Sequence, residues 1–201
     1  MSCLPKPQLL SFAFRSRDVK KILDNLDPWG GTDPNGFIPL IFKNLSDVLA
    51  PKLTHLFRTL FRKGLFPDEW KIAHITPIPK DGPSVDCTKY RPISILPCLS
   101  KVAEKLIAKP LYSYLEKNQI LYNKQYAYRK NLGTCDALLN LTNILQTNLE
   151  QGQESRVVQI DFSAAFDLVN HKALLYKLKI LELEVVCSNY WIVTYLIENN
   201  E

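Results

Sequence analysis

The sequence lacks any apolar run that approaches the ~20 residues a helix needs to cross a bilayer. Its first residues carry one early lysine and interrupting prolines, without the apolar core that a secretory signal peptide requires. We therefore expect neither a membrane partner nor secretion.

Cysteine is scarce and dispersed, since the five cysteines form no Cys-x-x-Cys pair and no Cys/His cluster. An odd, scattered set argues against a disulfide framework and against structural zinc. A reducing intracellular compartment, nuclear or cytoplasmic, is the simplest interpretation. Glycine-rich phosphate-binding loops are also missing, and the three histidines belong to no Ser/His/Asp or Cys/His arrangement.

Basic residues are concentrated in the middle of the chain. The whole sequence is 46% hydrophobic and 22% charged, which is typical of a folded protein, and its net charge is +5. Between Lys52 and Lys130 there are fifteen Lys and Arg against six Asp and Glu. This excess favours contact with a polyanion such as nucleic acid or nucleotide phosphate. A solvated basic face without a ligand is the alternative.

Hydrophobic periodicity predicts a helix-rich α/β fold of the α+β kind, with few strands and no βαβ repeat. Predicted helices cover residues 16–26, 38–49, 51–61, 99–115, 137–149, 174–178 and 185–197. Proline marks the start of the third, and Gly64 and Gly152 mark helix ends. Proline-broken apolar runs at 72–79 and 91–96 predict short edge strands. Residues 157–162 make the best strand, β-branched and ending in carboxylate.

Asp161 is the strongest candidate for a catalytic or metal-binding residue. A carboxylate at the end of a strand is held rigidly enough to bind a divalent cation. The same residue could equally terminate the strand in a turn or cap a following helix. Asp167 and His171 are four residues apart, which favours a local side-chain contact over a metal pair.

Lys80 and Arg91 flank a polar loop between the two predicted edge strands. Two cations on opposed strand ends could clamp a triphosphate. Two exposed charges on a hairpin are the alternative, which spacing alone favours.

Several blocks follow one another in a recognisable order. They are the Gly- and Pro-rich stretch 27–42, the segments 65–80 and 90–105, the Gln-Tyr-Ala-Tyr-Arg block 125–129 with 133–138, and 159–171. Together they resemble the motif series of non-LTR retrotransposon reverse transcriptases, of the jockey-like or LINE-like type. Ala127 stands where that family more often has glycine.

The resemblance implies a role for each candidate residue. Asp161 occupies the place of the metal-binding catalytic aspartate, with the carbonyl of Phe162 completing one Mg²⁺ shell. Phe166 matches the ring that excludes a ribose 2′-hydroxyl. Lys80 and Arg91 match the cations that hold the incoming deoxynucleotide triphosphate.

The resemblance also implies nucleic-acid partners, an RNA template and a DNA primer. Arg129 and Lys130 belong to the basic block that would contact their phosphates without reading sequence. It further implies a fingers region at 18–155 after an extension at 1–17. The start of a right-hand polymerase palm follows at 156–181, and 182–201 is a divergent acidic tail.

The family pattern is incomplete in these residues. Family members supply two further aspartates in a later Phe/Tyr-Ala-Asp-Asp hairpin, whereas this sequence has no Asp-Asp pair and its last aspartate is Asp167. A co-opted nucleic-acid-binding module and a decayed relic are the alternatives to a polymerase fragment. An unrelated helical interaction protein fits the ordered motifs poorly.

We expect no polymerisation by this chain alone, because two-metal phosphoryl transfer needs several carboxylates to hold both ions. Primer extension on an RNA template in Mg²⁺ measures this, with a complete reverse transcriptase as the positive control. Synthesis that Asp161→Asn abolishes would contradict the expectation.

Overall fold

The computed structural model describes residues 14–80, 82, 83, 85–162, 165 and 168–180. Within them the chain forms helices α1 Ser16–Asp24, α2 Pro39–Asn44, α3 Ser46–Lys63, α4 Cys98–Lys117, α5 Thr134–Glu150 and α6 His171–Ile180, and strands β1 His74–Pro79 and β2 Tyr90–Ile95. The mixed, helix-rich fold class is confirmed. Among the described helices, none combines the length and apolarity needed to cross a membrane.

The chain packs as two units. The first contains the described residues up to Leu111 together with α6, and the second contains Tyr112–Ala165. The helix predicted at 185–197 lies outside the described residues. The predicted boundaries at 17, 155 and 181 stay predictions.

Helix α1 shows how local sequence sets an element of the first unit. The N–H of Arg15 donates to the Asp18 carboxylate at 2.8 Å, which satisfies a donor that the helix start leaves open. Val19 and Leu23, four residues apart, are fully buried on one side. This amphipathic spacing is what predicted a helix over 16–26, and the prediction is confirmed.

Helix α3 corrects the prediction that Pro51 opens a helix. The helix begins at Ser46, and Pro51 lies inside it. The buried side runs without interruption from Ser46 through Ala50 to Phe57, so packing outweighs the one backbone hydrogen bond that proline forfeits. At the other end Gly64 adopts the left-handed conformation, φ 62°, and stops the helix as predicted.

An aromatic cluster forms the centre of the core. The ring of Phe57, fully buried, lies 5.8 Å from Trp70 and 6.2 Å from Phe61, and Phe66 meets Trp70 edge-on at 5.4 Å. The first half of α4 adds aliphatic side chains to the same cluster, Val102, Ala103, Leu106 and Ile107. Burying a side chain of this size contributes about 1.5–3 kcal/mol, so this cluster dominates the stability of the first unit.

Strands β1 and β2 form an antiparallel hairpin, with register running from His74 opposite Ile95 to Pro79 opposite Tyr90. Every residue of β1 is exposed. The two predicted edge strands are confirmed, since both strands of a two-stranded sheet are edges.

Three prolines are compatible with this hairpin because of its register. The N–H of Lys80 donates to the carbonyl of Lys89 at 2.8 Å, which makes those two a hydrogen-bonded pair. Pairs alternate between bonded and non-bonded, so Pro77, Pro79 and Pro92 fall at non-bonded positions. Their missing N–H groups would have pointed outward, and both outer edges are poor templates for a further strand.

The predicted strand at 157–162 is wrong. Residues 153–162 form neither helix nor strand, and all are exposed. A β-branched sequence favours extended backbone, but a strand also needs a neighbour to receive its hydrogen bonds. In the part of the chain that the structure describes, no segment pairs with it.

The carboxylate of Asp33 ties the loop between α1 and α2 to the start of α4. One oxygen accepts from the N–H groups of Asn35 at 3.0 Å and Phe37 at 2.9 Å. The other accepts from the N–H of Cys98 at 2.9 Å, the first residue of α4. Asp33 is 6% exposed. Burial, and next the nearby Asp33 charge, raise the pKa of the Cys98 thiol, so that thiol stays protonated.

We expect Asp33→Ala to lower the free energy of unfolding by about 1–3 kcal/mol, because it leaves the buried N–H of Cys98 without an acceptor. Urea denaturation followed by circular dichroism measures it. Asp27→Ala is the matched control: the exposed Asp27 carboxylate accepts from the Trp29 N–H at 3.1 Å in the same loop. Equal losses from the two substitutions would contradict the assignment.

Candidate nucleotide and nucleic-acid site

The hairpin brings Lys80 and Arg91 to one face. Arg91 lies directly opposite Ile78, and Lys80 follows Ile78 by two residues. Opposed residues, and residues two apart along a strand, share a face. Lys80 and Arg91 are therefore diagonal neighbours at the loop end, about 7–8 Å apart at the backbone, which long side chains can bridge.

A third cation belongs to this group, and sequence reasoning missed it. Lys89 is the last residue of the turn before β2, its carbonyl accepts from the N–H of Lys80 at 2.8 Å, and it precedes Arg91 by two residues, so it lies beside Lys80. All three side chains are exposed. The signal that could have found Lys89 is the hairpin register, which fixes its partner. We name Lys80, Lys89 and Arg91 the hairpin cations.

The loop that joins the strands orders one of these cations. The Asp86 carboxylate accepts from the N–H of Thr88 at 2.9 Å and from its hydroxyl at 2.7 Å. The Thr88 side chain and backbone, and then the charge of Lys80, lower the pKa of Asp86. The Lys80 ammonium donates to the Thr88 carbonyl at 2.9 Å. Within the described residues, the guanidinium of Arg91 makes no hydrogen bond, so it is available to an anion.

Arg129, in the second unit, forms a forked ion pair. Its Nε donates to Glu116 Oε1 at 2.9 Å and its Nη2 to Oε2 at 2.7 Å. Its Nη1 donates to the carbonyl of Tyr122 at 3.2 Å. The hydrogen bond from Arg129 lowers the pKa of Glu116, and Glu116 in turn raises the pKa of Arg129. Arg129 thus has an internal partner, whereas its neighbour Lys130 is exposed.

The backbone around this pair takes a conformation that side chains usually avoid. Gln119, Tyr128 and Asn131 have positive φ values of 53°, 58° and 59°. Each such residue costs of order 1–3 kcal/mol and needs support from its surroundings. The left-handed residue of the Gln-Tyr-Ala-Tyr-Arg block is Tyr128, so Ala127 is not under the strain that would demand glycine.

Asp161 and Phe162 lie in the exposed segment of the second unit. Phe166 lies outside the described residues, as does Asp167. The turn-or-cap alternative for Asp161 depends partly on residues 163 and 164, which also lie outside. Among the described residues, no three His, Cys, Asp or Glu side chains come together as metal ligands would. These residues alone therefore do not fit the two-metal site that the resemblance implies.

The sequence from residue 78 to residue 201 matches the family model described as reverse transcriptase, RNA-dependent DNA polymerase. The chain belongs to the reverse transcriptase family. The match covers more than half of the chain and contains every site residue predicted from the sequence. The family recognised from the ordered motifs is confirmed.

Three curated relatives from insects show the same likeness. The probable RNA-directed DNA polymerase from transposon BS of Drosophila melanogaster is 35% identical over 63% of this chain. The RNA-directed DNA polymerase from mobile element jockey is 33% identical over 67% in D. melanogaster, and 29% identical over 87% in Drosophila funebris. The chain spans only 14%, 15% and 19% of the lengths of these relatives.

We expect Glu116→Gln to expose the loop 119–133, because it removes the charged acceptor of the Arg129 fork. Trypsin should then cleave after Lys124 and Lys130 several-fold faster. Glu154→Gln is the control, since Glu154 and Arg156 are 4.0 Å apart and both over 90% exposed. Unchanged cleavage in Glu116→Gln would rule out the ion pair as the restraint.

Acidification should expose the loop 119–133 in the same way as the Glu116→Gln substitution. Because the pKa of Glu116 is lowered in the folded protein, its ion pair stabilises the fold fully at pH values above the pKa that the carboxyl has in the unfolded chain. This stabilisation is lost as the pH falls through the pKa that the carboxyl has in the folded protein. The loop is therefore held at neutral pH and released in acid. Carbon-13 NMR titration of Glu116 measures the midpoint, which should rise in Arg129→Gln.

Proposed function

We propose that this chain contributes the nucleotide- and template-holding part of a retrotransposon RNA-directed DNA polymerase. Support comes from the family match over 78–201, together with relatives named as RNA-directed DNA polymerases. The observation that carries the proposal is the placement of Lys80 and Arg91 on one face of the hairpin, with Lys89 bonded to Lys80 through the backbone. In the terms of a right-hand polymerase, the hairpin belongs to the fingers, and the segment around Asp161 opens the palm.

The hairpin cations hold the triphosphate of the incoming deoxynucleotide. Arg91 offers a planar fork of donors that matches phosphate oxygens, and Lys80 and Lys89 add compact charges beside it. The hairpin backbone fixes their spacing before the ligand arrives. The ordering cost at binding is therefore confined to the side chains.

Nucleic-acid phosphates meet the basic residues of the second unit. Lys130 is exposed and contacts phosphate directly, whereas Arg129 is paired with Glu116 and shapes the loop from which Lys130 projects. Such contacts position a template and primer without reading sequence, and they weaken as salt rises. The template is RNA, in keeping with the names of the relatives, and the primer is DNA.

Asp161 supplies one carboxylate toward divalent metal, with the carbonyl of Phe162 beside it, and Phe166 excludes the ribose 2′-hydroxyl. In the complete domain Mg²⁺ would stabilise the charge that develops during nucleotidyl transfer. Two-metal transfer needs further carboxylates besides Asp161.

The nucleotide site is tested by reversing two of its cations. We expect the double variant Lys80→Glu, Arg91→Glu to weaken binding of a fluorescent deoxynucleotide triphosphate by about tenfold for each cation. Titration followed by fluorescence anisotropy measures it, and the monophosphate should bind more weakly than the triphosphate.

A matched control separates this site from general charge. Arg17→Glu with Lys52→Glu makes the same charge change at two exposed helix positions away from the hairpin. Its affinity should stay close to that of the unaltered chain. Equal losses of affinity in both double variants would show that the hairpin attracts the nucleotide only through non-specific electrostatics. That result would overturn the nucleotide site.

A further inference from the structure

The loop between α4 and α5 carries two exposed aromatic rings. Tyr122 is 70% exposed and Tyr128 is 72% exposed. Tyrosine ordinarily buries most of its ring, because the ring is largely apolar. Two such rings within seven residues of one loop form a feature that the nucleotide site does not use.

Arg129 connects the backbone positions of the two tyrosines. Arg129 directly follows Tyr128 and donates to the carbonyl of Tyr122 at 3.2 Å. The same carbonyl accepts from the N–H of Gln125 at 2.9 Å, which closes a turn. Glu116 anchors the guanidinium to α4 through two further bonds. The rings therefore lie on an ordered loop. Its conformational entropy is lost when the chain folds, so ligand binding does not have to order the loop.

The left-handed backbone of Tyr128 strengthens this argument. An αL residue is uncommon unless it is Gly, Asn or Asp, and its strain persists only where surrounding contacts enforce it. The Arg129 fork next to it supplies such contacts. The structure thus maintains an unfavourable backbone conformation at a residue that is 72% exposed.

Exposed cations are close in sequence to both tyrosines. Lys124 is two residues from Tyr122, and Lys130 is two residues from Tyr128, and both lysines are exposed. Aromatic faces interleaved with positive charge suit single-stranded nucleic acid, since any base can stack on a ring while a lysine meets the adjacent phosphate. A duplex offers its phosphates but keeps its bases stacked on one another.

We propose that Tyr122 and Tyr128 form a stacking platform for unpaired bases of single-stranded nucleic acid, with Lys124 and Lys130 at the backbone phosphates. The proposal rests on the proposed function, because it specifies how the template is held ahead of pairing. It adds two residues that the family match and the sequence motifs leave without a role.

The experiment uses the full chain and a labelled single-stranded RNA oligonucleotide, followed by fluorescence anisotropy over a range of salt concentrations. Tyr122→Ala and Tyr128→Ala should each weaken binding by about fivefold to a hundredfold. Tyr→Phe at either position should bind like the unaltered chain, because it keeps the ring face. Lys124→Gln and Lys130→Gln should instead lower the dependence of affinity on salt.

Two further variants separate stacking from folding. Tyr128→Gly removes the ring and relieves the left-handed strain, so it should keep the fold by circular dichroism and still lose affinity. Tyr176→Ala removes a ring that is 66% exposed on α6 and should leave RNA binding unchanged. Duplex RNA should bind the tyrosine variants and the unaltered chain equally.

The outcomes distinguish this platform from the function on which it rests. RNA binding that is salt-dependent but indifferent to both Tyr→Ala substitutions overturns the platform and leaves the proposed function standing. Loss of duplex and single-strand binding alike in Tyr→Ala also overturns the platform. An unaltered chain that binds no RNA at any salt concentration overturns both.

Discussion

The carboxylate of Asp33 accepts hydrogen bonds from three backbone N–H groups, two in its own loop and one at the start of α4. Cys98 is 65 residues from Asp33 in sequence, so this carboxylate fixes where the chain leaves β2 and enters α4. The half of α4 that follows supplies part of the core, and the hairpin that precedes it supplies the phosphate-binding face. A neutral side chain could not satisfy three donors at once with the strength of a charge-assisted bond. The Gly- and Pro-rich motif around Asp33 is therefore a structural device as well as a family signature.

The positions of the prolines keep the hairpin from pairing with further strands. A two-stranded sheet exposes unpaired edges that invite association, and the three prolines at non-bonded positions blunt both of them. The ladder keeps its hydrogen bonds because the prolines never occupy a donating position. Lys80 and Arg91 occupy bonded positions toward the loop, so one alternation in the ladder both protects the edges and places these two charges on one face.

The second unit is organised differently: none of its described residues is fully buried, and a charge pair orders its loop. Its long helix α5 has no buried residue. Order in the preceding loop comes from Arg129 and Glu116, which support left-handed backbone at Tyr128. A pair of this kind is sensitive to acid and to substitution, whereas the aromatic cluster of the first unit is sensitive to cavities.

The sequence by itself determined the family, the helices with strong apolar periodicity, the two proline-broken strands and the candidate cations Lys80 and Arg91. These features depend on the local pattern of apolar residues and prolines or on the order of the motifs, and both can be read from the sequence alone. Tertiary structure decided what depends on a partner. Residues 157–162 have strand propensity but receive no ladder bonds among the described residues, and Pro51 lies within a helix because the buried face continues through it. Lys89 joined the site through a backbone hydrogen bond with Lys80, and Arg129 acquired an internal partner thirteen residues away. Hydrogen bonds and burial between residues distant in sequence carry no local signal, and for that reason they appeared only in the folded chain.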